Sequence, residues 1–433
     1  MNMDSVIVDS EEVKSIESVN LELQSFDDLI QSYLKTLAIP VEPANPENCE
    51  STPDYMKVAR LKFFISLNDS YIDTENVRRQ LMNLIELNNM LPYYENCCEY
   101  FKWPVDEKLV AKMKANIDTQ IIELDKYEKN EENTSYAWKK RLDFYLKIGD
   151  YEKAYQWAYE KSEDSTFSTN SRLEATFALF RIAYCDNCNV AAMGKSVEKA
   201  KHFIDSAEHK ADWTGRNKFK AYEGLYGLAV RDYKRASMNL TDCVSTFESY
   251  ELTDFNKIVK FTVIASMIAL PRCDIRKKIV NYGLIMQELN YPQCEHLKEF
   301  VLSFNECRYG DFLRILAVTE LVLRFEPLTY PHYRQYIREM KLKAYAQMLQ
   351  SYSIVSLKRM AEIFGVTSDY IENDVSTFTA SGKLTCRIDK VAGKIITANA
   401  GIAYDRSLTY QNCIKRGDFL LNRIKRIARI IES

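Results

Sequence analysis

Glycine and proline are scarce, at 12 and 10 in 433 residues, together about 5% where roughly 12% is usual. So few tight turns and sheet corners can be supplied, which disfavours barrels and sandwiches and favours long helices. Histidine is scarcer still. His202, His209, His296 and His332 are all there are, with no HxH pair and no HExxH, so metalloprotease or metal-dependent deubiquitinase chemistry lacks its ligands. No GxxxxGKS/T or GxGxxG run exists to cradle phosphates. Charge of one sign is missing too: 58 basic residues against 61 acidic leave a net charge of -3, no field for holding a nucleic-acid backbone. The longest clear apolar run, Phe261 to Leu270, is about half of a bilayer span. The first thirty residues contain Asp4, Asp9, Glu11, Glu12, Glu17 and Glu22 without an apolar core, so no secretory signal is expected. Eleven cysteines, most scattered singly, do not make a disulfide framework and fit a reducing compartment, the cytoplasm and nucleus. No catalytic, cofactor-binding or metal-binding residue is expected, and neither membrane nor nucleic acid is an expected partner.

The length allows one extended or two compact cores, since single cores stop growing at about 250 to 300 residues. Residues 1–52 are read as an acidic segment and linker, loosely docked, with Pro40, Pro43 and Pro46 as punctuation. From Asp54 onward the apolar spacing is helical. Leu109, Met113, Ile117, Ile121 and Leu124 make one stripe on a helix opening near Asp106. A weak repeat then shows as a turn-and-opening motif: GDYEKA (149–154), SVEKA (196–200), RDYKRA (231–236) and GDFLRI (310–315). Ala154, Ala200 and Ala236 are 46 and 36 residues apart, close to the period of helix-pair repeats. Each small alanine is expected to let the second helix of a pair pack closely on the first.

The pattern changes near Tyr352. Ser356 is set to cap a short helix carrying Leu357, Met360, Ala361 and Phe364, and Gly365 to stop it. A second helix runs from about Ser368 to Phe378. Two β-prone runs, Leu384 to Asp389 and Ile395 to Ala398, then flank Val391-Ala392-Gly393 as a hairpin. Helix, turn, helix and hairpin describe a winged helix. Its second helix carries Asp369, Glu372 and Asp374 where a DNA reader would meet phosphates, so protein contact is the expected role.

The last segment has the cleanest periodicity. Tyr410, Cys413, Gly417, Leu420, Ile424, Ile427 and Ile431 alternate in steps of three and four, a heptad seam that needs a partner helix. Tyr410, Cys413, Leu420, Ile424, Ile427 and Ile431 are the expected partner-binding residues. Basic residues surround them: Lys415, Arg416, Arg423, Lys425, Arg426 and Arg429, against Asp418 alone. One metal candidate is set aside. Cys185 and Cys188 precede His202 and His209 at a spacing near that of a Cys2His2 finger, but a continuous helix over 189–207 leaves no hairpin for one.

Helix repeats, a winged helix and a terminal helix are the layout of PCI-domain proteins. A longer stretch resembles the subunit-seven family of the 26S proteasome regulatory-particle lid: Asp212-Trp213, Arg216-Asn217, Lys220, Tyr222-Glu223-Gly224, Arg231-Asp232-Tyr233, Ala236, Thr246-Phe247 and Glu251-Leu252. Pro92-Tyr93-Tyr94-Glu95, His332, Tyr336 to Met340 and Gly417-Asp418 look like the same family. Signalosome subunit one shares the layout, and the DW…RN…K.YEGL run favours the lid; a translation-initiation PCI subunit is a more distant rival. The resemblance implies an all-α chain: a TPR-like α-solenoid (53–335), a PCI winged helix with a small β-hairpin (336–403) and a C-terminal bundle helix (404–433). It further implies a non-catalytic scaffold, with lid subunits six and three, a small acidic tether protein, the terminal-helix bundle and the ATPase ring as partners.

Overall fold

The computed structural model describes residues 52–67, 69, 72–130, 134–205, 212–291, 294–397 and 400–432, without the side chains of 127–130, 134–136, 400–408 and 430–432. Two compact units are present, one of 52–305 with 314–335 and the other of 306–313 with 336–432. The first is helical throughout: α1 (Asp54–Leu67), α2 (Thr74–Asn88), α3 (Leu91–Phe101), α4 (Glu107–Asn130), α5 (Thr134–Ile148), α6 (Tyr151–Glu163), α7 (Thr169–Cys185), α8 (Val190–Asp205), α9 (Trp213–Val230), α10 (Tyr233–Cys243), α11 (Phe255–Ala269), α12 (Arg272–Ile275), α13 (Gly283–Leu289) and α14 (Glu295–Glu306). A single π-turn, 276–280, interrupts this series after α12. From α6 to α11 each helix packs on its neighbours in sequence, which is solenoid stacking.

The turn motif explains how the pairs close. Gly149 at φ +80° and Arg231 at φ +69° turn the chain out of the preceding helix, and the next residue, Asp150 or Asp232, caps the following one through Lys153 N–H or Arg235 N–H. Ala154, Ala200 and Ala236 are all buried. SVEKA departs from the expected role: it lies inside α8, which opens at Val190 after Asn187 and Cys188 in left-handed conformation. Gly310 and Asp311 likewise sit within the first turn of α15 (Tyr309–Arg324) rather than before it. The α4 stripe is as expected, with Met113 buried and Ile117, Ile121 and Leu124 half-buried between exposed positions.

The α9–α10 pair is the tightest. A Cβ on Gly227 would lie 3.0 Å from the backbone nitrogen of Ala236 and 3.2 Å from its Cβ; one on Gly224 would lie 2.6 Å from Leu240 carbons. Only glycine permits that approach. Tyr222 on the same helix stacks on Phe177 at 4.4 Å.

Helix α1 does not simply begin the stack. Tyr55 accepts a hydrogen bond from buried Arg181 of α7 (3.0 Å), Phe64 meets Phe325 edge-on at 6.3 Å, and Arg60 pairs with Glu326 at 2.6 Å. It therefore ties together helices far apart in sequence. Nearby, Lys218 bridges Glu174 (3.2 Å) and Glu251 (3.3 Å). Burial opposes the charge on that amine, but Glu251 and Glu174 outweigh it and hold its pKa above the usual range. The predicted segment 1–52 lies outside the described residues except Thr52, which is buried and donates its backbone N–H to Asp254.

In the second unit α16 (Tyr333–Leu349) leads to β1 (Ile354–Ser356), α17 (Leu357–Phe364), α18 (Ser368–Ala380), β2 (Cys386–Asp389) and β3 (Lys394–Thr397), then α19 (Ala400–Glu432). The sheet is antiparallel in the order β1-β3-β2, completing the winged helix. Ser356 caps α17 by accepting from Arg359 N–H, and Gly365 ends it at φ +65°. Asp389 Oδ1 accepts from Val391 and Ala392 N–H at 3.1 Å, which fixes the hairpin turn. The core of the module is aromatic: Tyr345 packs edge-on to Phe364 at 4.9 Å, and Phe378 lies 6.1 Å away.

Candidate functional site

The CxxC candidate set aside in the sequence is packed into the helical stack. Cys185 is buried, with its Sγ 3.4 Å from Met56 Sδ, and burial pushes both its thiol and that of Cys188 up to about 12. His202 is on α8, and His209 lies outside the described residues. Among the described residues no group of three His, Cys, Asp or Glu is placed to hold a metal ion, and no helix is long and apolar enough to cross a membrane.

On the winged helix, the acidic residues of α18 divide. Asp369 is exposed as expected. Asp374 instead turns inward, accepting from Tyr345 Oη at 3.1 Å and pairing with Lys341 at 3.3 Å, while Glu372 pairs with Lys390 of the hairpin turn at 2.6 Å. Burial and the adjacent Asp374 carboxylate push the Tyr345 hydroxyl above its ordinary range, so it stays a hydrogen-bond donor. The outward face of α18 is Asp369, Tyr370, Asn373, Ser376 and Thr377, with no cation to meet a phosphate.

The terminal helix is where apolar surface is left uncovered. Every described side chain from 409 to 429 is exposed except half-exposed Gly417. Tyr410 (68%), Leu420 (57%), Ile424 (60%) and Ile427 (55%) all show more than half of their surface. Cys413 is exposed, and the side chain of Ile431 lies outside the described residues. Ile414 and Leu421, also exposed, widen the seam into a stripe of the kind a bundle helix carries. Burying Leu420, Ile424 and Ile427 would contribute up to about 1.5 to 3 kcal/mol each, a gain offset in part by the cost of association. Sequence periodicity located this surface, whereas the inward turn of Asp374 left no sequence signal because its partners Lys341 and Tyr345 lie on another helix.

Comparison with known proteins agrees with this architecture. Residues 106–278 match the model of the family described as 26S proteasome subunit RPN7, and 316–399 match the PCI domain. The 26S proteasome non-ATPase regulatory subunit 6 homolog of Arabidopsis thaliana is 32% identical over 86% of this chain and 95% of its own length. The 26S proteasome regulatory subunit rpn7 of Schizosaccharomyces pombe is 34% identical over 74% and 78%, and RPN7 of Saccharomyces cerevisiae 27% identical over 79% and 85%. With solenoid, winged helix and terminal helix all in place, and a relative matched over nearly its whole length, this chain belongs to the RPN7 family of 26S proteasome regulatory subunits.

Proposed function

We propose that the chain is a non-catalytic scaffold of the proteasome lid that positions its neighbours for ubiquitin-dependent degradation. The carrying observation is the uncovered seam of α19: Tyr410, Cys413, Leu420, Ile424 and Ile427 expose apolar surface that a soluble monomer rarely leaves in water. Partner helices cover it in the assembled lid, and by its heptad spacing Ile431 is read as one more contact of the same helix. The winged helix is a second contact surface, toward neighbouring PCI subunits six and three, with the small acidic tether protein and the ATPase ring as further partners. The site of action is the cytoplasm and nucleus.

Leu420→Asp with Ile424→Asp tests the reading. The double variant is expected to leave the melting of the rest of the chain unchanged and to abolish entry of tagged protein into the lid, measured by native electrophoresis of the purified particle. Wild-type levels of assembled variant would refute it. Purified chain is also expected to show no peptidase or isopeptidase turnover above a heat-inactivated control.

A further inference from the structure

The seam is not uniform along its length. Leu420, Ile424 and Ile427 present branched side chains, whereas one heptad earlier the inward positions are Cys413 and Gly417. A mid-helix glycine weakens a helix, because its backbone gives up more freedom than alanine's. Gly417 is not among the glycines at positive φ, so backbone geometry does not require it. No atom lies within 4 Å of the place its Cβ would take. What glycine provides there is room.

The borders of the seam differ as well. At 100° per residue, Arg416 and Arg423 fall along the border beside Cys413, Leu420 and Ile427, while Gln411, Asp418 and Lys425 fall along the other. Both charged residues of the first border are cationic, while the second carries Asp418 and Lys425. Arg423 also lies over the ring of exposed Phe419 at 5.6 Å, on the side of the helix turned away from the seam.

We propose that the helix seated on this seam has an acidic border, placing carboxylates against Arg416 and Arg423, and drops one bulky side chain into the gap over Gly417. The proposal rests on the reading of α19 as the assembly element. A bulky side chain fills a gap that would otherwise forfeit contact on both helices. Carboxylates supply partners for two cations that lose water on docking. A second copy of this helix, or any basic helix, would set like charges together and is selected against.

The test uses the full-length chain assembled into the regulatory particle. A diazirine-bearing aliphatic residue in place of Leu420 is photolysed and the attached peptide sequenced. Expected is a heptad-patterned peptide with a large apolar residue within one turn of the attachment point and Asp or Glu along its border. A peptide with a basic border, one without such a residue, or one from a second copy overturns the proposal. Variants give an independent reading by the ratio of assembled to free chain. Gly417→Leu is expected to assemble about tenfold less well and Gly417→Ala about twofold less, since overpacking grows with size. Arg416→Glu with Arg423→Glu is expected to lose about fivefold, and the far-face pair Lys415→Glu with Arg429→Glu less than about twofold. If Leu420→Asp with Ile424→Asp assembles normally, the scaffold reading fails. If that variant is blocked while Gly417→Leu assembles as wild type, the gap alone is wrong.

Discussion

Replacing Ala236 by leucine probes the tightest contact of the solenoid. Ala236 is fully buried, and its Cβ faces the backbone of α9, where a methyl built on Gly227 would already be only 3.2 Å away. Leucine adds three carbons at that point. Each would contribute about 0.8 kcal/mol if it found an apolar place, but the space belongs to the main chain of the opposing helix. The two helices must part, and a gap of even about 0.5 to 1 Å forfeits a quarter to a half of each contact's attraction along the pair. The expected net loss is about 1 to 3 kcal/mol. With about 280 residues melting together at roughly 2.1 cal/mol/K each, the unfolding entropy is about 0.6 kcal/mol/K, so a 3 kcal/mol loss lowers Tm by about 5 °C. Scanning calorimetry of purified chain measures it, with Ala236→Gly as the comparison, expected to cost about 1 kcal/mol through helix propensity. An unchanged or raised Tm for Ala236→Leu would refute the close-packed register.

Asp374→Ala should destabilise the winged helix by about 1 to 3 kcal/mol, because Tyr345 and Lys341 lose their common acceptor; Tyr345→Phe should cost less, and equal costs in chemical denaturation would count against the network. Burial and nearby Lys260 lower the His296 pKa to about 3. The unfolded chain therefore takes up that proton below about pH 6.5 while the folded chain does not, and stability falls from there down to about pH 3. Between pH 7 and pH 5 the loss from this group is about 2 kcal/mol. His296→Gln should flatten the pH dependence of the urea midpoint, and an unaltered slope would contradict the assignment. Duplex DNA should not bind α18 at physiological salt; binding that Asn373→Asp and Thr377→Glu together abolish would reverse that reading.

The sequence was most informative where local chemistry decides the structure. Ser356 and Gly365 delimit α17 because a cap and a left-handed stop act within one turn. The seam of α19 was legible because heptad spacing needs no knowledge of the rest of the fold. What stayed hidden depends on distant partners. Strand β1 is three residues long, too short for alternation to register, and exists because Thr397 N–H reaches Ser353 C=O and Leu357 N–H reaches Gly393 C=O. SVEKA looked like a repeat opening because lysine, glutamate and alanine favour any helix position. The crossing of α1 over α7 and the segment near Phe325 rests on pairs such as Arg60–Glu326, which no local pattern announces. Gly224 was read as part of a motif, yet its reason is Leu240 across the pair.

The cysteines give the chain a built-in reporter. Burial pushes the thiols of Cys97, Cys185, Cys188 and Cys243 up to about 11 or 12, so they hold almost no thiolate at neutral pH and alkylate slowly. Among the described residues the exposed thiols are Cys273 and Cys413. One sits within the solenoid and the other on the terminal seam, so their relative rates of alkylation form an internal clock. In the free chain both should react readily; as the seam is covered, Cys413 should fall silent while Cys273 keeps time, reading out occupancy of α19 with no tag or substitution in the chain.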